Sequence, residues 1–286
     1  MARTDNALFL YYNLGDEATV TASSEITDAE AEFVQTMDPG EPWRADDKVE
    51  ESLVWDHGSV VDITHAAAIW HNLDTSGSIQ FEMSNTVSFS SLVYDSGELE
   101  AWDPVSGFGA DSFGYSLGGY PVLTDRNAYV PFKLFDLGGI KSARYSRMTF
   151  RNPTNSLIAG IACGRAFVGR GEQFQYNIGF NLSTQWVDTS VITPTEASVR
   201  TKRGRSYRVM NMNLPNITRD EAIAAWDDIK RTIGCSRDII VVPFPNGGAP
   251  LRYRTTIYGM PINPEPYALT NVRFYASAMQ IRELAA

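Results

Sequence analysis

The sequence predicts a mainly β protein, with a jelly-roll or β-sandwich domain followed by a β-rich C-terminal unit that carries one amphipathic helix. Short runs rich in β-branched and aromatic residues alternate with Gly, Pro, Asn and Asp along most of the chain. The 286 residues are 43% hydrophobic and 20% charged, a composition that gives a folded protein a substantial core. We predict two domains, residues 1–170 and 171–286.

The predicted strands follow one another at the short spacing typical of sandwiches and barrels. In chain order they are 7–13, 52–56, 60–70, 78–83, 92–96, 128–137, 143–152, 158–169, 206–214, 238–244, 252–259 and 269–283. Gly58 is expected to separate the second strand from the third. Residues 97–127, rich in Gly and aromatic residues without a clear period, are expected to form a long surface loop suited to binding.

One helix stands out, over about residues 218–233. Thr218 and Glu221 have the spacing of a capping box, and Gly234 follows as a stop signal. The apolar stripe is predicted at Ile223, Trp226, Ile229 and Ile233. Residues 27–37 predict a single short helical turn.

Charge is unevenly distributed. Residues 1–60 hold 14 Asp and Glu against 3 Lys and Arg, whereas the rest of the chain is almost neutral. This acidic front argues against nucleic-acid binding. The basic cluster of residues 198–211, read as a hairpin turning at Gly204, predicts contact with the acidic front of a neighbouring subunit. Its predicted inter-subunit residues are Arg200, Lys202, Arg203 and Arg205.

The chain's three histidines do not predict a chemical site. His65 and His71 would lie about 20 Å apart on one strand, too far to share a metal ion. The G-x-S-x-G match at Ser116 lies in a Gly-rich stretch rather than between a strand and a helix, and every histidine precedes it. We therefore predict that the protein is not an enzyme, with no catalytic residues, cofactor or metal.

Two further features bear on the compartment. Cys163 and Cys235 have no metal or redox spacing, and we expect both to be reduced and buried. The apolar run near the N-terminus is about six residues long, too short for a signal peptide core or a membrane span. We expect synthesis in a cytoplasm and no membrane insertion.

Three segments carry a family resemblance by their order: EPWRADD (41–47), AIWHNLDTSGSIQFEM (68–83) and GGIKSARYSRMTFRNPTNSLIAGIACGRAFVG (138–169). Together they resemble a discoidin-like, galactose-binding-type jelly roll as found in tailed-phage proteins. The C-terminal third resembles the tail-side half of such proteins. The resemblance covers roughly residues 5–286.

The resemblance implies a non-enzymatic virion structural protein of the tail tip or distal tail. Such a protein would be made in the bacterial host cytoplasm, assemble as a homo-oligomeric ring and connect other phage tail proteins. The alternative is a carbohydrate-binding module that recognises a host-surface glycan; a hydrolase is the least favoured class. The residues predicted for glycan or partner contact are Trp43, Arg44, Trp102, Phe108, Phe113 and Tyr115.

Overall fold

A computed structural model describes residues 5–103, 130–194, 199–263 and 266–284. The described residues form mainly antiparallel strands, which confirms the predicted fold class. In chain order the strands are β1 Leu8–Asn13, β2 Thr19–Ala22, β3 Trp43–Arg44, β4 Glu51–His71, β5 Ser78–Ser84, β6 Leu92–Asp95, β7 Leu99–Glu100, β8 Phe132–Arg151, β9 Ala162–Gln173, β10 Ser183–Asp188, β11 Val191–Pro194, β12 Val199–Lys202, β13 Ser206–Thr218, β14 Ile239–Val242, β15 Ile257–Asn263, β16 Tyr267–Leu269 and β17 Phe274–Glu283.

The described strands form two sheets. The larger has 15 strands, and its main path runs β10-β13-β17-β15-β14-β1-β9-β4-β8-β5-β6. Four more strands pair beside this path: β2 on β4, β3 on β9, β7 on β5 and β16 on β17. The smaller sheet is the two-stranded ribbon β11–β12. Strand β1 therefore joins the N-terminal and C-terminal parts through the same ladder, because it pairs with β9 on one side and β14 on the other.

In two places, two neighbouring predicted strands form a single long strand with a bend. The predicted break at Gly58 is a bend inside β4, where Gly58 has a φ of 72° and the register against β8 shifts between Asp56 and Val61. Strand β8 bends in the same way at Gly138 and Gly139, with φ values of 79° and 138°. Glycine accepts these positive angles without a Cβ clash, so the hydrogen-bonded strand continues past each bend.

The core has three clusters of buried apolar side chains. One lies within the sandwich, around Trp43, Trp55 and Phe150. The second lies in the C-terminal part, around Trp226 and Phe174. The third lies between them and includes Leu8 and Leu10, while Ala7 and Phe9 join the second cluster. Successive side chains of a strand point to opposite faces. The first strand is therefore buried on both faces and contributes to the second and third clusters.

The predicted helix is present as α1, which runs from Arg219 to Ile233. It consists of Arg219–Glu221, a π-helical stretch Ala222–Trp226 and Asp227–Ile233. Its capping box is formed, since the Glu221 amide donates to Thr218 Oγ1 at 3.4 Å and the Thr218 amide donates to Glu221 Oε2 at 3.1 Å.

The apolar stripe of α1 differs at one position from the predicted one. The residue buried one turn before Trp226 is Ala222, and Ile223 is exposed. Trp226, Ile229 and Ile233 are buried as predicted. The stripe therefore begins four residues before Trp226 rather than three.

Substitution of Thr218 by alanine is expected to lower the free energy of unfolding by about 1 kcal/mol, because the Glu221 amide loses its acceptor at the helix N-terminus. Urea unfolding of both proteins measures the difference. Thr27→Ala is the matched control, since Thr27 is exposed outside any strand or helix and is expected to change stability by less than about 0.5 kcal/mol. Equal midpoints for Thr218→Ala and wild type would contradict a stabilising cap.

The remaining helical segments are short. Two 3₁₀ helices span Leu14–Glu17 and Ala31–Gln35, the latter inside the predicted turn at 27–37. A second helix, α2, spans Ala249–Thr255, so the strand predicted over 252–259 is wrong in its first half. No helix among the described residues is both long and apolar enough to cross a membrane.

Candidate functional site

A large open groove lies at the end of β4, where β3 and the segment before β9 meet it. We call it the Trp70 groove. Its volume is about 700 Å³, within the range of about 300–1,000 Å³ typical of ligand sites. The described residues that line it are Ile26, Pro39, Gly40, Pro42, Arg44, Ala45, Asp46, Trp70, His71, Asn72, Ile158, Ala159, Gly160, Ala162 and Arg205.

Trp70 has an unusual backbone conformation. Its φ is 60°, in the left-handed region that bulky residues seldom adopt. Its amide donates to Pro131 O at 2.8 Å, which holds the peptide in this geometry. Gly164 lies opposite, where a Cβ would come within 2.9 Å of both Trp70 Cβ and Pro39 O. The strained tryptophan is therefore fixed by a close approach that requires glycine.

The indole of Trp70 is half-buried, and its Nε1 has no hydrogen-bond acceptor among the residues that the structure describes. Prolines 39 and 42 supply further apolar walls of the groove. The half-buried ring, set among apolar walls, can pack against a flat apolar face of a ligand, whereas its Nε1 atom is itself buried.

Three charged side chains that line the groove have no ion-pair partner within the described ranges: Arg44, Asp46 and Arg205. Arg44 and Asp46 are both exposed, and they lie two positions apart on either side of buried Ala45. Residues two apart on an extended segment share a face, so both side chains stand on the groove side. A guanidinium donates and a carboxylate accepts, which gives the groove both kinds of polar group.

Asn72 has a structural role. Its Nδ2 donates to Gly160 O at 2.9 Å, and its Oδ1 accepts from the Ala162 amide at 2.8 Å. Both ends of the amide are therefore used to hold the 158–162 segment against the end of β4. The groove wall is fixed before any ligand arrives, which lowers the ordering cost of binding.

His71, the last residue of β4, is almost completely buried. Its relative exposure is 3%, and neither ring nitrogen has a hydrogen-bond partner in the described part of the chain. Its ring meets that of Trp102 edge-on, with centroids 5.5 Å apart. Burial, with a smaller effect of the Lys133 charge, lowers the pKa of His71 to about 3. The ring is therefore neutral at neutral pH.

His57 lies next to a buried serine. His57 Nε2 lies 3.0 Å from Ser146 Oγ, but Ser146 is completely buried, so no substrate reaches its hydroxyl. Burial lowers the pKa of His57. Over the described ranges, no cluster of three or more His, Cys, Asp or Glu is arranged to hold a metal ion. Ser116 lies outside the described residues.

Two of the residues predicted for glycan or partner contact are core residues. Trp43 is completely buried, donates from Nε1 to Ser24 O at 3.1 Å and packs 5.8 Å from the Phe150 ring. Trp102 is buried and donates to Leu73 O at 2.8 Å. This corrects the prediction for both rings, because neither presents a surface to a ligand.

Of the remaining predicted contact residues, Arg44 lies in the Trp70 groove. Phe108, Phe113 and Tyr115 lie outside the described residues. Trp70 itself was not among the predicted residues. The only sequence signal for it was its place at the end of an apolar strand beside a histidine and an asparagine.

Arg200 and Lys202 lie on β12, and Arg203 and Arg205 lie in the connection between β12 and β13. Strands β11 and β12 pair from Val191↔Lys202 to Pro194↔Val199, so Gly204 lies outside this hairpin rather than at its turn. Gly204 instead approaches Thr189, where a Cβ would come within 2.2 Å of Thr189 Oγ1. Arg200, Lys202, Arg203 and Arg205 are all exposed, and Arg205 lines the Trp70 groove.

The two cysteines differ in exposure. Cys163 is buried, and burial raises the pKa of its thiol to about 12. Cys235 is exposed, which corrects the expectation that both are buried. Both are free thiols.

No family model matches the sequence, and no curated protein is significantly similar to it. Several solved structures overlap the chain at low similarity. Chitosan-binding module 1 from the chitosanase/glucanase of Paenibacillus sp. IK-5 is 16% identical with a TM-score of 0.37, over 56% of this chain and 100% of that module. A Clostridium perfringens module solved in complex with GalNAc-β-1,3-galactose is 13% identical with a TM-score of 0.38, over 56% of this chain and 100% of that one.

A fucose-binding module from Streptococcus pneumoniae is 10% identical with a TM-score of 0.37, over 56% of this chain and 96% of that one. These neighbours are carbohydrate-binding modules. Identities and TM-scores at this level assign neither a family nor a ligand to this chain.

Proposed function

We propose that this protein is a non-enzymatic binding protein whose Trp70 groove takes a saccharide. The observation that carries the proposal is the strained Trp70. Strain of this kind costs about 1–3 kcal/mol and persists where surrounding structure holds it, most often at functional sites. Here the strained backbone places the half-buried indole of Trp70 at the groove, and the close contact between Gly164 and Trp70 keeps it in place.

The groove combines the two kinds of surface that a sugar ring presents. The C–H face of a sugar is apolar and packs on an aromatic ring, which Trp70 supplies. Sugar hydroxyls both donate and accept, so they can bond to the Arg44 guanidinium and the Asp46 carboxylate, both unpaired over the described residues. An apolar pocket with a few fixed polar groups is the usual form of a small-ligand site.

The proposal is tested with the full chain on a glycan array, followed by calorimetry on each saccharide that binds. Trp70→Ala is expected to weaken binding by at least about tenfold, since it removes the stacking surface. Because Trp70 also packs on the core, Arg44→Gln and Asp46→Asn provide surface variants that leave the core intact, and each is expected to weaken binding.

The matched control is Trp186→Ala, an exposed tryptophan on β10 that does not line the groove. It is expected to bind like wild type. The proposal is overturned if no saccharide on the array binds. It is also overturned if binding survives Trp70→Ala, Arg44→Gln and Asp46→Asn unchanged.

A second proposed function is assembly into a ring as a structural protein of a phage tail tip or distal tail. The observation that favours it is the exposed basic ribbon β11–β12. Val191 and Ile192 are exposed on it, and β10, which leads into it, forms an edge of the larger sheet with Trp186 exposed. Unpaired edge strands that carry apolar side chains favour association with another chain.

Assembly is tested by light scattering of the purified chain over a range of salt concentrations, and by mass spectrometry of particles from a producing host. A defined oligomer at low salt that dissociates in Arg200→Glu/Arg203→Glu supports the second function. A monomer at every concentration, together with absence from particles, would exclude it.

A further inference from the structure

A second cavity lies next to the Trp70 groove, and Arg205 lines both. We call it the Arg282 cavity. Its volume is about 590 Å³. The described residues that line it are Arg205, Ser206, Tyr207, Met260, Pro261, Ile262, Arg282, Glu283 and Leu284. The two spaces share the Arg205 side chain and therefore adjoin at this residue.

The Arg282 cavity carries unbalanced positive charge. Arg205 and Arg282 are both exposed, and neither has an ion-pair partner within the described ranges. The carboxylate that lines the cavity belongs to Glu283, which is buried and already bonded to Arg208, with Nε to Oε1 at 2.8 Å. The Glu283 carboxylate therefore does little to neutralise the positive charge of the two free guanidiniums.

Arg282 is also held in position. Its guanidinium carbon lies 4.4 Å from the centroid of the Tyr207 ring, a cation–π contact. A stacked guanidinium keeps its edge available for hydrogen bonds and loses less freedom on binding than a mobile side chain. The Ser206 hydroxyl adds a neutral donor to the same cavity.

The two adjoining spaces differ in charge. In the Trp70 groove the free guanidiniums of Arg44 and Arg205 are accompanied by the free carboxylate of Asp46. In the Arg282 cavity two free guanidiniums stand without a free carboxylate among the described lining residues. Two like charges in one cavity repel each other, and an oxyanion between them removes that repulsion and accepts hydrogen bonds from both.

We infer that the ligand is an acidic saccharide: its neutral ring packs in the Trp70 groove, and its carboxylate or sulfate group is held in the Arg282 cavity by Arg205 and Arg282. This inference rests on the proposed saccharide-binding function and specifies the ligand class. Arg205, common to both spaces, selects for an acidic group next to the stacked ring.

The test is calorimetry on the full chain with matched pairs of ligands. Uronic-acid oligosaccharides are compared with their neutral methyl esters, and sulfated oligosaccharides with their desulfated forms. At least one acidic member is expected to bind at least about tenfold more tightly than its neutral partner, because charge-assisted hydrogen bonds to arginine are lost in the neutral form. Arg282→Gln is expected to remove that preference while leaving neutral binding in place, since Arg282 does not line the Trp70 groove. Arg205→Gln is expected to remove the preference and also to weaken neutral binding, since Arg205 lines both spaces.

Arg203→Gln is the matched control. Arg203 lies on the same exposed segment as Arg205 but lines neither space, so this variant is expected to keep the full preference. Sodium sulfate and sodium acetate are titrated alone as a third arm. They are expected to bind far more weakly than the acidic saccharide, because they use only the Arg282 cavity.

The possible outcomes separate this inference from the proposed function. Equal binding of acidic and neutral partners, with Trp70→Ala still disruptive, overturns the acidic ligand and leaves the saccharide site. Free sulfate or acetate binding as tightly as the acidic saccharide also overturns it, because the two spaces then act separately. Absence of binding to every saccharide, acidic and neutral, overturns both. A preference that persists in both Arg205→Gln and Arg282→Gln overturns the assignment of the two arginines.

Discussion

Replacement of Arg165 by methionine is expected to lower the free energy of unfolding by about 3–5 kcal/mol, because it leaves two carboxylates without the buried cation that they share. Arg165, on β9, has a relative exposure of 1%. Its Nε donates to Asp238 Oδ2 at 2.8 Å, and its Nη2 donates to Asp16 Oδ2 at 2.8 Å. Its Nη1 also donates to Val34 O at 3.1 Å.

These contacts join separate parts of the molecule. Asp16 lies in the 3₁₀ helix after β1, and Asp238 directly precedes β14 in the C-terminal part. One guanidinium therefore connects the sandwich to the strand that follows α1. A domain is stable by only about 5–15 kcal/mol in total, so this loss is a large share of it.

Urea unfolding of Arg165→Met, wild type and a control measures the effect. Arg170→Met is the control, since Arg170 lies on the same strand but makes a half-exposed ion pair with Asp62 at 3.2 Å. Such pairs contribute about 0–1 kcal/mol. Asp16→Asn/Asp238→Asn added to Arg165→Met is expected to restore part of the loss, because it removes the unpaired charges. A loss below about 1 kcal/mol for Arg165→Met would show that the network contributes little.

The second large effect concerns pH. His71 has an ordinary pKa of 6.5, which the unfolded chain keeps, whereas burial lowers its folded pKa to about 3. Below pH 6.5 the unfolded chain takes up a proton that the folded protein does not, so His71 favours unfolding as the pH falls towards 3. One pKa unit corresponds to about 1.36 kcal/mol, so His71 accounts for a loss of about 2.7 kcal/mol between pH 7.5 and pH 4.5.

His71→Phe is expected to remove that part of the pH dependence. Phenylalanine keeps a ring next to Trp102 and has no group to protonate, and it also removes two buried nitrogens without partners among the described residues. Urea unfolding at pH 7.5 and pH 4.5 gives the loss for each protein. His57→Gln is the control and is expected to retain the His71 contribution. The same loss in His71→Phe and wild type would show that His71 does not titrate in this range.

Local patterns were sufficient to predict much of the fold. The capped helix α1 was predicted because its capping box, stop glycine and apolar spacing all lie within 17 consecutive residues, 218–234. The prediction of strand or helix was wrong where the local signals conflicted. Residues 252–255 alternate in polarity like a strand but form the end of α2, in which Tyr253 packs on the sandwich core. Packing against residues distant in the chain determines the helical conformation of that segment, and the local sequence pattern does not contain this information.

The candidate site was less predictable for the same reason. Arg205 and Trp70 line one groove, yet Trp70 lies in β4 and Arg205 lies far along the chain, just before β13. The partners of Arg165 lie 149 and 73 residues away. The strain at Trp70 depends on Gly164 and Pro39, which reach it only in the folded protein. By contrast, the aromatic content that suggested Trp43 and Trp102 as contact residues reflects their place in the core.

The position of β1 has a consequence for synthesis on the ribosome. The strand precedes one of its two partners, β14, by more than 200 residues, so it is made well before that partner. Until β14 emerges, one edge of a strand carrying Leu8 and Leu10 has no hydrogen-bonding neighbour, and their side chains lack the apolar partners Ile240 and Val242. Incomplete chains therefore expose an unpaired, apolar strand edge that is prone to association. Chaperone binding during translation is expected to be strongest for chains that end before residue 239.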